Sequence, residues 1–439
     1  MRWIRLLYLG GGAYYAAWGA FVPVILVSRG FDPPLVALTS SLSALAFWLA
    51  LPAWGHLSDV IVGTKRAIQL ASVPAAVLLI ALELPLPALP IALLCVGASA
   101  TAGSLGALTD AHAVAGLADP SREYGRLRML GSLSAGILVI GFGFLYDRTG
   151  YMAPPLVGAA SLLAVASFAF RLPVANPDRG RSGRADRPVE EVAPVGYGRF
   201  GSLSEALHGR PRLVALLLGC LGIFIGIMGG GTFVALRLQA LGGGPSTIGL
   251  ATGLGASAEV PGMVLASWLV VRYGVRPVLG VSALGLALVF GSWAIATDPL
   301  VITATKMVAG LMFAGVTVAF VITMTSILPQ RLVSTGQTLY QSVGFGAAAI
   351  LSNFVGAFLY KLGGAETVFV FLAAATAAGG VVAVLAAPAY GRVRRAGTDS
   401  EPEPVSVQAT LEPPAIAAVE TAPGTATPGN AAAPATVDV

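Results

Sequence analysis

Asp110-Ala-His-Ala-Val-Ala-Gly-Leu-Ala-Asp-Pro-Ser-Arg-Glu-Tyr-Gly-Arg-Leu-Arg-Met-Leu-Gly131 is a charged island between two long apolar runs. It carries Asp110, Arg122, Glu123, Arg126 and Arg128. An Asp, Lys or Arg at the centre of a bilayer costs about 2.5–3.5 kcal/mol on insertion scales. The stretch is therefore either a loop caught between two membrane spans or the polar wall of a pathway through the membrane. Both readings require membrane-spanning sequence on each side.

The rest of the chain supplies it. Of 439 residues, 56% are hydrophobic and only 11% charged, against about 25% charged in a soluble domain. This surplus of apolar residues cannot be folded into a soluble core. Long, nearly uncharged runs indicate helices, because a β-barrel would show short alternating segments. The expected fold is all-α and integral to the membrane.

Twelve transmembrane helices are expected, at 6–27, 35–57, 67–84, 89–112, 127–146, 152–170, 213–236, 246–271, 277–297, 299–327, 337–360 and 366–388. Each is near the ~20 residues that cross ~30 Å of hydrocarbon. The first is too long for a signal-peptide core of about 7–15 residues and reads as an uncleaved span. Of the odd-numbered connections, four hold a single basic residue each, Arg29, Arg148, Arg237 and Lys361, and two hold none. Most of the 26 basic residues lie at the termini and in the even-numbered connections. That asymmetry places both termini in the cytoplasm. It also explains the net charge of +5 as a topology signal, so no nucleic-acid partner is needed.

Three local similarities recur at nearly one offset. Gly30-Phe-Asp-Pro-Pro-Leu-Val-Ala-Leu-Thr39 resembles Gly243-Gly-Pro-Ser-Thr-Ile-Gly-Leu-Ala-Thr252. Asp59-Val-Ile-Val-Gly63 resembles Val270-Val-Arg-Tyr-Gly274, and Phe144 to Gly150 resembles Phe358 to Gly364. The chain thus reads as two six-helix halves, 1–170 and 213–390. An even number of spans per half makes the repeat parallel, with a binding site between the halves near mid-membrane. The join, 171–212, has eight arginines and no lysine among Pro, Gly, Asp and Glu. It reads as a cytoplasmic linker, with contact to anionic lipid as the alternative. The segment 391–439, rich in Ala and Pro, has the composition of a disordered cytoplasmic tail.

Several chemistries find no support. Cys95 and Cys220 lie in apolar runs, and His56, His112 and His208 are far apart. There is no disulfide framework, metal-ligand spacing or nucleophile pair, so neither a metal, a cofactor nor an enzyme is expected.

The connection Gly55-His-Leu-Ser-Asp-Val-Ile-Val-Gly-Thr-Lys-Arg66 resembles the Gly-x-Leu-Ala-Asp-Arg-x-Gly-Arg-Lys signature of the major facilitator superfamily. One residue is inserted between Asp59 and Gly63, and Val60 replaces the arginine of the signature. The resemblance implies a gating-loop motif formed by Gly55, Asp59, Gly63, Lys65 and Arg66, a cytoplasmic latch between helices. A narrower resemblance covers Glu123-Tyr-Gly-Arg-Leu-Arg-Met-Leu-Gly131. It is similar to the start of the fifth helix in the branch of lactose permease and the phenylpropionate and nucleoside proton symporters. By that resemblance Arg128 binds substrate and Asp110 takes the place of an essential carboxylate. Ala135 stands where the sugar permease stacks a Trp, and Ala309 and Met312 where it places a proton-transferring His and Glu. Galactoside specificity and the branch's proton pathway are therefore not implied.

The intramembrane charges are candidates in their own right. Glu259 lies mid-span and Lys306 about seven residues into the tenth span; each must be neutral, paired or facing water. Glu259 reads as a substrate or proton site or as a structural partner, with Lys306 as a possible mate. Asp110 and Arg128, on adjacent antiparallel helices, read as an in-cavity pair or an interfacial salt bridge. Tyr14 and Trp18 share one helical face at i, i+4, as do Gln337 and Gln341, and either set could line the cavity or pack.

The sequence therefore predicts a monomeric secondary transporter of the cell membrane, moving a small polar solute by alternating access, most simply in symport with protons. A proton-antiport exporter of sugars or drugs, or a non-transporting membrane sensor, is the alternative.

Overall fold

In the computed structural model, residues 2–116, 120–172, 207, 209–328 and 332–388 are described, with backbone only for 114–116, 120–126, 325, 333 and 334. Most of the expected linker, the expected tail and the side chains of Arg122, Glu123 and Arg126 lie outside the described residues. Within them every regular element is helical. The first rod, Arg2–Ser28, is built from α1 (Arg2–Tyr14), a π-turn (Tyr15–Gly19) and α2 (Val22–Ser28). Then come α3 (Pro33–His56) with a second π-turn (Leu57–Val62), α4 (Thr64–Ala81), α5 (Ala88–Ala102) and α6 (Leu105–Gly116). They are followed by α7 (Pro120–Thr149) and α8 (Ala153–Phe170). Beyond the linker lie α9 (Pro211–Ala240), α10 (Pro245–Tyr273), α11 (Val275–Ile295) and α12 (Pro299–Ile327). The last rod contains α13 (Val333–Gln341), a third π-turn (Ser342–Ala347) and α14 (Ala348–Ala386).

The starts of these helices follow from their residues. Proline occupies the first turn of α3, α8, α9, α10 and α12, where its fixed φ suits the helix and its missing N–H costs nothing. Asp32 caps α3 by accepting from Leu35 N at 3.1 Å, and Asp298 caps α12 by accepting from Leu300 N at 2.8 Å.

Glycines make the sharpest turns. Gly63 (φ 79°) and Gly274 (φ 90°) link α3 to α4 and α10 to α11. Gly30 (φ 85°) and Gly242 (φ 83°), and Gly150 (φ 71°) and Gly364 (φ 68°), form two further left-handed pairs. All three pairs recur at the offset of the sequence repeat. The partner of Gly30 is Gly242, one residue from the Gly243 that the sequence comparison placed there.

The second π-turn explains the inserted residue in the Gly55–Arg66 segment. A π-turn closes from i to i+5 instead of i to i+4, so Leu57–Val62 absorbs one extra residue without ending the helix.

Small residues let backbones touch. Gly219, Gly222, Gly226 and Gly229 form one face of α9 against α14: a Cβ added at Gly222 would sit 2.7 Å from Gly379 Cα. Between α7 and α10, a Cβ at Gly249 would meet Val139 O at 2.6 Å, and one at Gly143 would meet Pro245 O at 2.7 Å. Small-residue seams of this kind are how helices associate where lipid removes the hydrophobic drive. Aromatic clusters fill the wider gaps, with Phe224 packed edge-on against Phe313, Phe320, Tyr340 and Phe345.

Among the described residues, eleven helical segments are long and apolar enough to cross a membrane. The eleventh, Thr335–Ala386, has 52 residues and is broken by non-helical backbone at Gly363 and Gly364. Large apolar side chains cover the outside, including Ile295, Val271, Leu385 and Val264, as a lipid-facing surface requires.

Candidate functional site

Helices from both parts of the chain enclose a cavity of about 920 Å³, near the upper end of the range for small-molecule sites. Its walls come from α1, the π-turn of the first rod and α2, α3, α7, α9, α10, α11 and α12. They are largely apolar, with Phe290, Phe313 and Trp293 among them. Three charged side chains reach it: Arg128 from α7, Glu259 from α10 and Lys306 from α12. Tyr15, Ser40, Ser132, Thr232 and Thr252 add hydroxyls.

Each charge is held differently. Arg128 Nη1 pairs with Asp110 Oδ2, and the Tyr8 hydroxyl donates to Asp110 Oδ1 at 2.6 Å. Arg128 is 61% exposed while Asp110 is 23% exposed and is not part of the cavity wall. The pair therefore sits with the arginine forward and the carboxylate behind it.

Lys306 Nζ lies 5.1 Å from the centre of the Trp293 ring, within cation–π range. That ring is fixed. Its Nε1 donates to Thr305 Oγ1 at 2.8 Å, and Phe290 and Phe369 meet it edge-on at 5.4 and 5.7 Å. Gly255 makes room for the lysine stem, since a Cβ there would lie 3.1 Å from Lys306 Cγ. Among the described residues neither Glu259 nor Lys306 has an ion-pair partner. Both line the same cavity.

A site of this composition can bind a small solute through hydroxyls, aromatic faces and charges. The family model described as MFS_1-like matches residues 4–371. The chain belongs to this family. A maltose permease of Geobacillus stearothermophilus is 28% identical over 397 residues, covering 88% of this chain and 94% of that protein. Among solved structures, the nucleoside transporter NupG matches with a TM-score of 0.68 at 15% identity, over 88% of this chain and 98% of NupG. A D-xylose-proton symporter matches at 0.64 and 14%, over 87% and 95%. At such identities the structural likeness shows the fold. The protein is a secondary transporter of the major facilitator superfamily, not an enzyme.

The remaining expected site residues of the transporter are placed as follows. Tyr14 and Trp18 do not line the cavity; Tyr15 does. The π-turn that begins at Tyr15 breaks the i, i+4 spacing on which that expectation rested. Trp18 is 5% exposed and packs by Gly158. Gln337 and Gln341 are also absent from the wall. Gln337 Nε2 donates to Val321 O at 3.1 Å, and Gln341 is exposed at the end of α13, just where the third π-turn changes the helical register.

The Gly55–Arg66 segment joins α3 to α4. Asp59 and Arg66 are exposed, and Ser58 Oγ donates to Thr64 Oγ1 at 3.1 Å across the turn. Lys65 Nζ donates to Leu172 O at 3.0 Å and lies 5.5 Å from the Phe170 ring, so it ties α4 to the end of α8. Trp293 is the residue that sequence reasoning missed. Its only sequence signal was a tryptophan near the end of the span preceding Lys306.

Proposed function

We propose that the transporter carries a small polar solute, a sugar or nucleoside first among them, across the cytoplasmic membrane in symport with protons. The observation that carries the reading is the meeting of Arg128 with Glu259 and Lys306 in one cavity, charges from opposite ends of the chain. Arg128 supplies planar N–H donors for solute oxygens. Glu259, with no ion-pair partner among the described residues, is the group we assign to proton binding, and Lys306 is the neighbour that senses its charge. The sugar, nucleoside and sugar–proton transporters among the similar proteins favour this class.

Alternating access between two six-helix halves, 1–170 and 213–390, fits the packing. The α7–α10 glycine seam and the Ser41 Oγ to Ile350 O hydrogen bond of 2.9 Å join the halves, and the cavity lies between them. The Thr335–Ala386 rod would be about 78 Å long if straight, more than twice a bilayer core. With its break at Gly363–Gly364 it counts as two spans, making twelve. The distribution of basic residues then puts both termini, the 171–212 linker and the 391–439 tail in the cytoplasm. We take the working unit to be a monomer.

The test is a thermal-shift screen of purified protein against sugars, nucleosides and aromatic acids. Uptake into proteoliposomes with and without a pH gradient follows. Accumulation driven by a proton gradient directed with the solute supports symport. Accumulation driven by the opposite gradient would make the protein an antiport exporter. No stabilising and no transported solute would defeat the proposal.

A further inference from the structure

A cluster of basic and aromatic side chains lies where α1 begins, α4 begins and α8 ends. Arg2 Cζ lies 4.8 Å from the centre of the Trp3 ring, and Arg171 Cζ lies 5.1 Å from the same ring. The two guanidinium carbons are thus within about 10 Å of each other. Trp3 is steadied by Phe168, with ring centres 6.3 Å apart. Arg5 follows Arg2 at i+3, on the same side of α1, and is exposed. Lys65 stands over Phe170 at the start of α4.

This is a concentration of positive charge. Among the described residues none of Arg2, Arg5, Lys65 and Arg171 has an acidic partner. The Trp3 face attracts both guanidiniums but leaves their mutual repulsion in place. An anion between them removes it, and arginine's planar fork suits phosphate oxygens. The flank of the cluster is apolar: Phe170 is 71% exposed and Leu163 43%. A tryptophan with arginines beside it is also the composition of a membrane–water boundary.

We infer that Arg2, Trp3 and Arg171 form a binding site for an anionic phospholipid. The headgroup phosphate lies between the two arginines, with acyl chains along Phe170 and the outer face of α8. Free phosphate would satisfy the charges but not the apolar flank. The site lies apart from the cavity and does not depend on which solute that cavity takes.

The test uses the full chain in detergent micelles doped with phosphatidylglycerol, phosphatidylcholine or neither, read by thermal unfolding and by lipid retention in native mass spectrometry. Phosphatidylglycerol is expected to raise the unfolding midpoint above the phosphatidylcholine value. The Arg2→Gln/Arg171→Gln variant is expected to weaken phosphatidylglycerol retention about tenfold or more while matching the parent in phosphatidylcholine. If the double variant fails to fold, Arg171→Gln alone is expected to show a smaller loss of the same kind. Equal retention by parent and variant would overturn the inference. So would an equal stabilisation by inorganic phosphate, which would mark the site as a general anion site.

Discussion

The Tyr8 hydroxyl holds one oxygen of Asp110 at 2.6 Å, and Arg128 takes the other. Both oxygens of the carboxylate are thereby engaged within the protein, which fixes the position of Arg128 at the cavity. Tyr8→Phe removes one hydrogen bond of about 0.5–1.5 kcal/mol. The apparent solute affinity in proteoliposome uptake is expected to fall about 2- to 10-fold with little change in maximal rate. Asp110→Asn, which removes the charge partner of Arg128, is expected to cost more. Equal affinity in all three proteins would show that the arrangement behind Arg128 does not matter.

Glu259 is the cavity carboxylate with no ion-pair partner among the described residues. Glu259→Gln keeps its shape and hydrogen-bonding capacity but cannot release a proton. Gradient-driven accumulation is expected to be lost while solute exchange at equal pH persists. Uptake of the variant that still followed the pH gradient would remove Glu259 from coupling.

The α7–α10 seam allows no side chain at Gly249, where a Cβ would lie 2.6 Å from Val139 O. Gly249→Ala forces backbone movement, with an overpacking cost of about 1–3 kcal/mol. A lower unfolding midpoint in detergent is expected, and a larger drop for Gly249→Leu. Gly231, which has open space at its Cβ, serves as the control and should tolerate alanine far better.

Arg29 and Glu83 pair at 3.0 Å in two short connections, with side chains 19% and 17% exposed. Burial raises the Glu83 carboxyl above its usual value, and Arg29 works against that rise. An acid with a raised folded value binds its proton more readily when folded. Its contribution to stability is therefore full below the usual carboxylate value of 4.5 and is lost as pH rises through the folded value. Relative to Glu83→Gln, the parent should gain stability on acidification across that window. Parallel pH profiles of the unfolding midpoint would contradict this.

The helices could be read from the sequence because apolar runs, first-turn prolines and paired glycines each act locally. Glu259, Lys306 and Arg128 stood out because charge in an apolar run is costly, and all three reach the cavity. Tyr14, Trp18, Gln337 and Gln341 do not: a π-turn lies at or beside Tyr14, Trp18 and Gln341, while Gln337 is drawn to Val321 O. A widened turn leaves no mark in hydropathy, so periodicity carried past it points to the wrong face. Trp293 was hidden for a different reason: its partner Lys306 comes from another helix, and nothing local links them.

The widened turn at Leu57–Val62 takes up one extra residue at the end of α3, just before the chain turns at Gly63 into α4. Most deletions inside a helix rotate everything downstream by about 100°. Here a deletion is expected to convert the wide turn to an ordinary one ahead of the Gly63 turn, with the Lys65 contact to Leu172 kept. The segment works as a slack link, in which chain length can vary while the helices on either side keep their alignment.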